Sequence, residues 1–172
     1  MTKTIQTEIG KMQVLKHHIA VENIQLLTSF ECDVASIGKS GMIYEFEVKI
    51  SRADFIKDKS KKYKWANKSK FDIYQTEPDK APNFFSYCCP QGLINEIEIP
   101  SFSGLYYFNG NEIIEVRKPK QLHNVKHDLS KIHVKILRVN SERMFLGCCR
   151  LTYENREIKK RNAEILELHK II

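Results

Sequence analysis

No stretch of this 172-residue chain approaches the roughly 18 consecutive apolar residues that cross a bilayer. The segment from Met1 to Lys16 has no long apolar run ahead of a small-residue cleavage site, so no secretory signal is expected. The chain is expected to stay in the cytoplasm, away from membranes. Cysteine is sparse and badly arranged for cross-linking. Cys32, Cys88, Cys89, Cys148 and Cys149 are odd in number, include two vicinal pairs and form no C-x-x-C motif. That excludes a disulfide framework or a cysteine zinc site and leaves buried free thiols as the expectation. A Gly-rich phosphate loop, a G-x-S-x-G elbow and an H-E-x-x-H helix are all missing. His17-His18 and His123-x-x-x-His127 are poor zinc pairs, the first because neighbouring helical residues diverge and the second because Pro119 puts it near a loop. Internal repeats and low-complexity stretches are also absent.

What is present is the composition of one ordinary globular domain. Apolar residues make up 42% and charged residues 28%, enough of the former to bury a core. The net charge is +7, and it is concentrated. Between Ser51 and Lys70, eight basic residues (Arg52, Lys57, Lys59, Lys61, Lys62, Lys64, Lys68 and Lys70) face only Asp54 and Asp58, a local charge of +6. A basic stretch of this kind suits a polyanion such as nucleic acid, although a solvated lysine-rich helix has the same composition. Tyr63 and Trp65 inside it suit either base stacking or a helix core face.

The apolar spacing Ile5, Ile9, Met12, Leu15, Ile19 predicts a helix over Lys3–Ile19. Strands are expected at Asn23–Ser29, Cys32–Ile37 and Met42–Ile50, the last two joined by the turn Gly38-Lys39-Ser40-Gly41. Ser51-x-x-Asp54 opens a helix expected to reach about Trp65. Ala66–Pro82, polar and carrying Pro78 and Pro82, reads as loop. Phe84–Cys89 reads as a strand, and Gly104–Phe108 with Glu112–Val116 as a hairpin around Asn109-Gly110-Asn111. From about Leu129 onward the pattern is helical, with a break expected near Asn140-Ser141. The order predicts an α/β fold with a central mixed sheet. Residues 1–150 are expected as one domain and 151–172 as a charged helical extension.

One constellation carries chemistry. In Glu45-Phe46-Glu47-Val48-Lys49, side chains alternate, so Glu45, Glu47 and Lys49 share a strand face. The hairpin can bring Asp33 beside Glu47. Two close carboxylates repel, and a hard divalent cation, Mg2+ or Mn2+, relieves the repulsion. Asp33, Glu47 and the Val48 carbonyl are therefore the candidate metal ligands. Lys49 is the candidate catalytic group, holding or deprotonating a water or stabilising charge on a phosphate. Arg52, Lys57, Lys61 and Lys62 are the candidate nucleic-acid contacts. Glu31, two residues before Asp33, is placed to assist. Ser51 and Asp54 read as helix caps, and Glu45 as a surface or ion-pair residue. A cross-strand ion pair on an exposed face would use the same residue types.

Asp33 followed by Glu47-Val48-Lys49 resembles the signature of the PD-(D/E)XK nuclease superfamily. Several segments are similar, in the same order, to its MmcB-like and small phage-encoded branch. They are Asp33-Val-Ala, Glu45-Phe-Glu47-Val-Lys49-Ile-Ser51-Arg-Ala-Asp54-Phe, Phe84-Phe-Ser-Tyr-Cys-Cys-Pro90-Gln-Gly92-Leu, Ile99-Pro100 and Gly104-Leu105. Glu115-Val-Arg117-Lys118 and Leu146-Gly147-Cys148-Cys149-Arg150 extend the resemblance, which spans about Glu31 to Arg150. It implies a restriction-endonuclease-like core and a magnesium-dependent DNA endonuclease tied to phage biology or DNA repair. It also implies DNA as partner, pairing of two copies in many members, and the host cytoplasm for a phage-encoded chain. Cys32 stands where the superfamily name has proline. The helper Glu that many members carry on the first helix has only Glu8 and Glu22 as candidates. The rival readings are a nucleic-acid-binding module of the same fold with little cutting activity, and a protein-interaction subunit.

Overall fold

The computed structural model describes residues 1–28, 30–59, 62 and 68–147. The chain divides into two compact units, Met1–Ile132 and His133–Ile172. The first holds a six-stranded mixed sheet with helices packed on it, an α/β fold. Helix α1 (Thr2–Lys16) leads into β1 (Ile19–Ile24), β2 (Cys32–Ile37) and β3 (Ile43–Val48). Helices α2 (Arg52–Lys59) and α3 (Lys70–Thr76) follow, then β4 (Phe84–Pro90), a short 3-10 helix at Glu96–Glu98, β5 (Gly104–Phe108) and β6 (Ile113–Arg117).

The strands lie in sequence order. β1, β2 and β3 form an antiparallel meander, β3, β4 and β5 run parallel, and β6 returns antiparallel to β5. Each parallel step needs a crossover, supplied by α2 and α3 after β3 and by residues 91–103 after β4. Alternation sorts the strand residues between two cores. Val34, Phe46, Val48, Cys88 and Tyr106 pack with Ile5 and Ile9 of α1. Phe85, Tyr87, Cys89 and Leu105 pack on the other face with Phe55 of α2 and Ile73 and Tyr74 of α3. The second core is rich in edge-on aromatic pairs, among them Phe85–Tyr87 at 5.1 Å and Phe55–Tyr87 at 5.3 Å.

The expected strands at Cys32–Ile37 and Gly104–Phe108 coincide with β2 and β5. Other expectations are corrected. Helix α1 stops at Lys16, because His17 is extended and the His18 amide already donates to Ile37 O at 3.1 Å. The first strand therefore runs Ile19–Ile24 rather than Asn23–Ser29. Part of the expected loop Ala66–Pro82 is α3, opened by a full capping box in which Ser69 and Asp72 exchange side-chain and backbone bonds. Its apolar residues, Ile73 and Tyr74, bury against the sheet, which outweighs the polar flanks. The expected helix from Ser51 is described to Lys59; its continuation toward Trp65 lies outside the described residues. Residues 129–147 are helical without a break at Asn140-Ser141. The proposed extension 151–172 lies outside the described residues. Among the described residues, no helix is long and apolar enough to cross a membrane.

Gly104 is where β5 comes closest to its surroundings. A Cβ there would sit 2.5 Å from Ser86 Oγ and 2.8 Å from Pro119 Cδ. The Pro119 ring cannot swing away as a flexible side chain would. Gly104→Ala is expected to destabilise the domain by about 1–3 kcal/mol, read as a lower urea midpoint with unchanged slope.

Candidate active site

The ladder between β2 and β3 pairs Val34 with Phe46 and is not continued to Asp33 and Glu47, the next residues in register. At that point the Asp33 carboxylate takes over a backbone role. Its Oδ2 accepts the Val48 amide at 2.7 Å, fixing the carboxylate at the end of β3. Its Oδ1 accepts Gln6 Nε2 from α1 at 3.0 Å, and the same nitrogen donates to Asn23 Oδ1 at 2.8 Å. Asn23 has φ +45, the left-handed region that asparagine tolerates better than most residues. A strained residue on β1, a buried amide on α1 and the end of β3 thus converge on one carboxylate.

Glu47 and Lys49 share the sheet face that carries α2 and α3. Lys49 Nζ lies 3.0 Å from Glu47 Oε2 and 3.1 Å from Asp58 Oδ1 of α2, and Tyr87 Oη donates to Asp58 Oδ2 at 2.9 Å. The other Glu47 oxygen is held by the Lys70 ammonium from α3. Lys70 also lies 2.6 Å from Glu45 Oε1, which accepts the Tyr74 hydroxyl at 2.6 Å. Glu45, Glu47, Lys49, Asp58 and Lys70 are all buried. Glu45, expected as a surface or ion-pair residue, is therefore an interior ion-pair partner.

The network sets the protonation states. Burial pushes the Asp33 carboxyl up, and the Glu47 charge beside it adds to this, to about 6. Burial would also raise Glu47, but Lys70 and Lys49 outweigh it and hold that carboxyl below its usual range. Burial opposes the charge on both lysines, yet their carboxylate partners prevail and raise them. Lys49 is therefore a fixed ammonium at neutral pH.

Asp33, Glu47, Val48, Lys49 and Lys70 line a polar pocket of about 430 Å³, with Glu31 and Asp54 also on its wall. Among the described residues, no three His, Cys, Asp or Glu side chains converge as a ready-made metal cluster. The donor chemistry nevertheless suits a divalent cation. Among the described residues, four carboxylates (Asp33, Glu45, Glu47, Asp58) are set around two ammonium groups (Lys49, Lys70). Asp33 is the carboxylate of this set with no lysine bonded to it in the network, and its charged form is the costly one. Magnesium needs only one or two carboxylates and keeps several waters, so Asp33, Glu47 and the Val48 carbonyl could hold it.

The other expected site residues are dispersed. Arg52 makes a two-pronged pair with Glu98, at 2.8 and 2.5 Å, and donates to Leu93 O at 3.2 Å, so it braces α2 against the segment after β4. Lys57 and Lys62 are exposed. Lys61, Tyr63 and Trp65 lie outside the described residues. Ser51 does cap α2, its Oγ accepting the Asp54 amide at 3.2 Å. Glu8 pairs with Lys11 and Glu22 with Lys3; the α1 residue that reaches Asp33 is Gln6. Gln6, Asp58 and Lys70 are the site residues that sequence reasoning missed. The local signal for Gln6 was a polar residue next to Ile5 on the apolar face of α1, and for Lys70 the Ser69-x-x-Asp72 cap that starts a helix at that lysine.

No family model matches this chain, and no curated protein matches it. Among solved structures it is similar to the SPO1766 protein of unknown function from Silicibacter pomeroyi, with a TM-score of 0.57 and 19% identity over 81% of this chain and 86% of that one. At that identity the likeness is one of fold.

The Asp33 carboxyl is expected to titrate near pH 6 in a carbon-detected NMR experiment on the metal-free protein, far above a free aspartate. Its folded pKa exceeds its unfolded one, so the folded state binds more protons between about pH 4 and 6 and this group's contribution to stability falls as pH rises through that window. Asp33→Asn is expected to remove that part of the decline in a pH series of urea unfolding curves.

Proposed function

We propose that this chain is a divalent-metal-dependent DNA endonuclease with the PD-(D/E)XK type of centre. The observation that carries the reading is the placement of Asp33 and Glu47 next to the end of one β2–β3 ladder, with Lys49 beside Glu47, in a polar pocket. Asp33 and Glu47 would hold the cation with the Val48 carbonyl. When bound, such an ion polarises a phosphate and lowers the pKa of a water. Gln6 and the Val48 amide orient Asp33, leaving each oxygen a further lone pair. Asp58 and Glu47 hold Lys49 charged and in place, so its ammonium can stabilise negative charge gathering on the phosphate. Lys57, Lys62 and the basic residues between them supply the polyanion-attracting charge. A role in phage biology or DNA repair belongs to the same reading.

A second reading, a nucleic-acid-binding module with little cutting activity, draws on one feature: both Glu47 oxygens already meet an ammonium. Cleavage of labelled single-stranded, duplex and flap DNA with Mg2+ or Mn2+ separates the two. Asp33→Asn and Lys49→Ala are expected to lower the rate by on the order of 10²–10³, and a chelator to abolish it. Melting curves for both variants show whether each is folded. Salt-sensitive DNA binding by wild type, with no metal-dependent product on any substrate, would overturn the endonuclease reading in favour of the binding module.

A further inference from the structure

Lys70 is the least expected member of the centre. Lysine is almost never fully buried unless paired, and here it is 1% exposed. Its ammonium lies between the carboxylates of Glu45 and Glu47 and faces the rings of Phe85 at 5.1 Å and Tyr74 at 5.5 Å. The groups the structure sets against that charged head are anionic, or a hydroxyl, or an aromatic face. This is the lining of a cation site, with the cation supplied by the chain.

The geometry of β3 explains the pairing. Glu45 and Glu47 leave the strand on the same face, roughly 7 Å apart along the backbone, and a single ammonium draws their carboxylates together. Glu47 is then common to two cation positions, one between Asp33 and Glu47 and one between Glu47 and Glu45.

We propose that Lys70 occupies the second of these positions as a resident cation, so that the centre takes one divalent ion per chain and not two. The proposal rests on the metal-dependent reading of the pocket. Lys70 is a positioning residue: it holds Oε1 of Glu47, while Lys49 holds Oε2 and no lysine is bonded to Asp33. With Lys70 in place the Glu45–Glu47 pair already has its cation. Without its charge the Glu45–Glu47 pair has lost the ammonium that draws it together.

The test counts Mn2+ ions bound per full-length chain, by electron paramagnetic resonance of the free ion, and follows thermal unfolding of each sample with and without Mn2+. Wild type and Lys70→Arg are expected to bind one ion at the centre, Lys70→Met two, and the double variant Lys70→Met/Glu45→Gln one again. Asp33→Asn in wild type identifies which bound ion belongs to the centre, because that ion is lost. If Lys70→Met unfolds without metal, the expected result is recovery of the fold on adding Mn2+, with two ions bound. One ion in folded Lys70→Met, two in wild type, or unfolding of Lys70→Met that Mn2+ does not reverse would each overturn the proposal while leaving the metal reading standing. No Asp33-dependent ion in wild type would instead remove the metal reading, and this proposal with it.

Discussion

Glu47 is buried beneath two helices with an ammonium group on each carboxylate oxygen, and much of the architecture around it makes that burial tolerable. An isolated buried carboxylate costs several kcal/mol, and an unmatched buried lysine no less. The fold meets this with partners from three elements. β3 supplies Glu45, Glu47 and Lys49, α2 supplies Asp58, and α3 supplies Lys70, while the Tyr74 and Tyr87 hydroxyls satisfy the outer carboxylates. The docking of α2 and α3 on the sheet is therefore tied to the same charges that form the pocket wall. Removing one partner would leave another charge uncompensated.

Asp33 is the counterpoint. It is reached by hydrogen bonds from Gln6 and the Val48 amide rather than by an ammonium, and its carboxyl is raised where that of Glu47 is lowered. Two carboxylates next to each other in register are thus driven apart electrostatically. One is neutralised internally and the other is exposed to whatever enters the pocket. On the proposed reading a divalent cation would satisfy the second and share an oxygen of the first, since each carboxylate oxygen can accept more than one partner.

How much of this could be read from the chain depends on range. The expectation that Asp33 lies near Glu47 and Lys49 follows from a two-residue side-chain period and a short glycine-containing turn, both local; the ladder ends at Val34 and Phe46, the residues next to Asp33 and Glu47. The partners do not follow locally. Lys70 and Asp58 sit inside a run of basic charge that reads as a solvated face, and nothing in their neighbours shows that both turn inward to β3. Arg52 belongs to the same run but is drawn away by Glu98, 46 residues further on. Helix α3 was hidden by the polar stretch around two prolines, although Ser69 and Asp72 mark its start. Gln6 lies among the apolar residues of α1, and its purpose appears only where β1 and β2 bring Asn23 and Asp33 beneath it.

The fold alone assigns no activity, since the same layered α/β scaffold can host unrelated sites. The central claim concerns the two carboxylates at the end of the β2–β3 ladder, and crystals soaked in Mn2+ and measured at its absorption edge address it directly. The account predicts an anomalous peak about 2.1 Å from oxygens of both Asp33 and Glu47, with Lys70 still on Oε1 of Glu47. A fully soaked crystal with an empty position between those two carboxylates would contradict it.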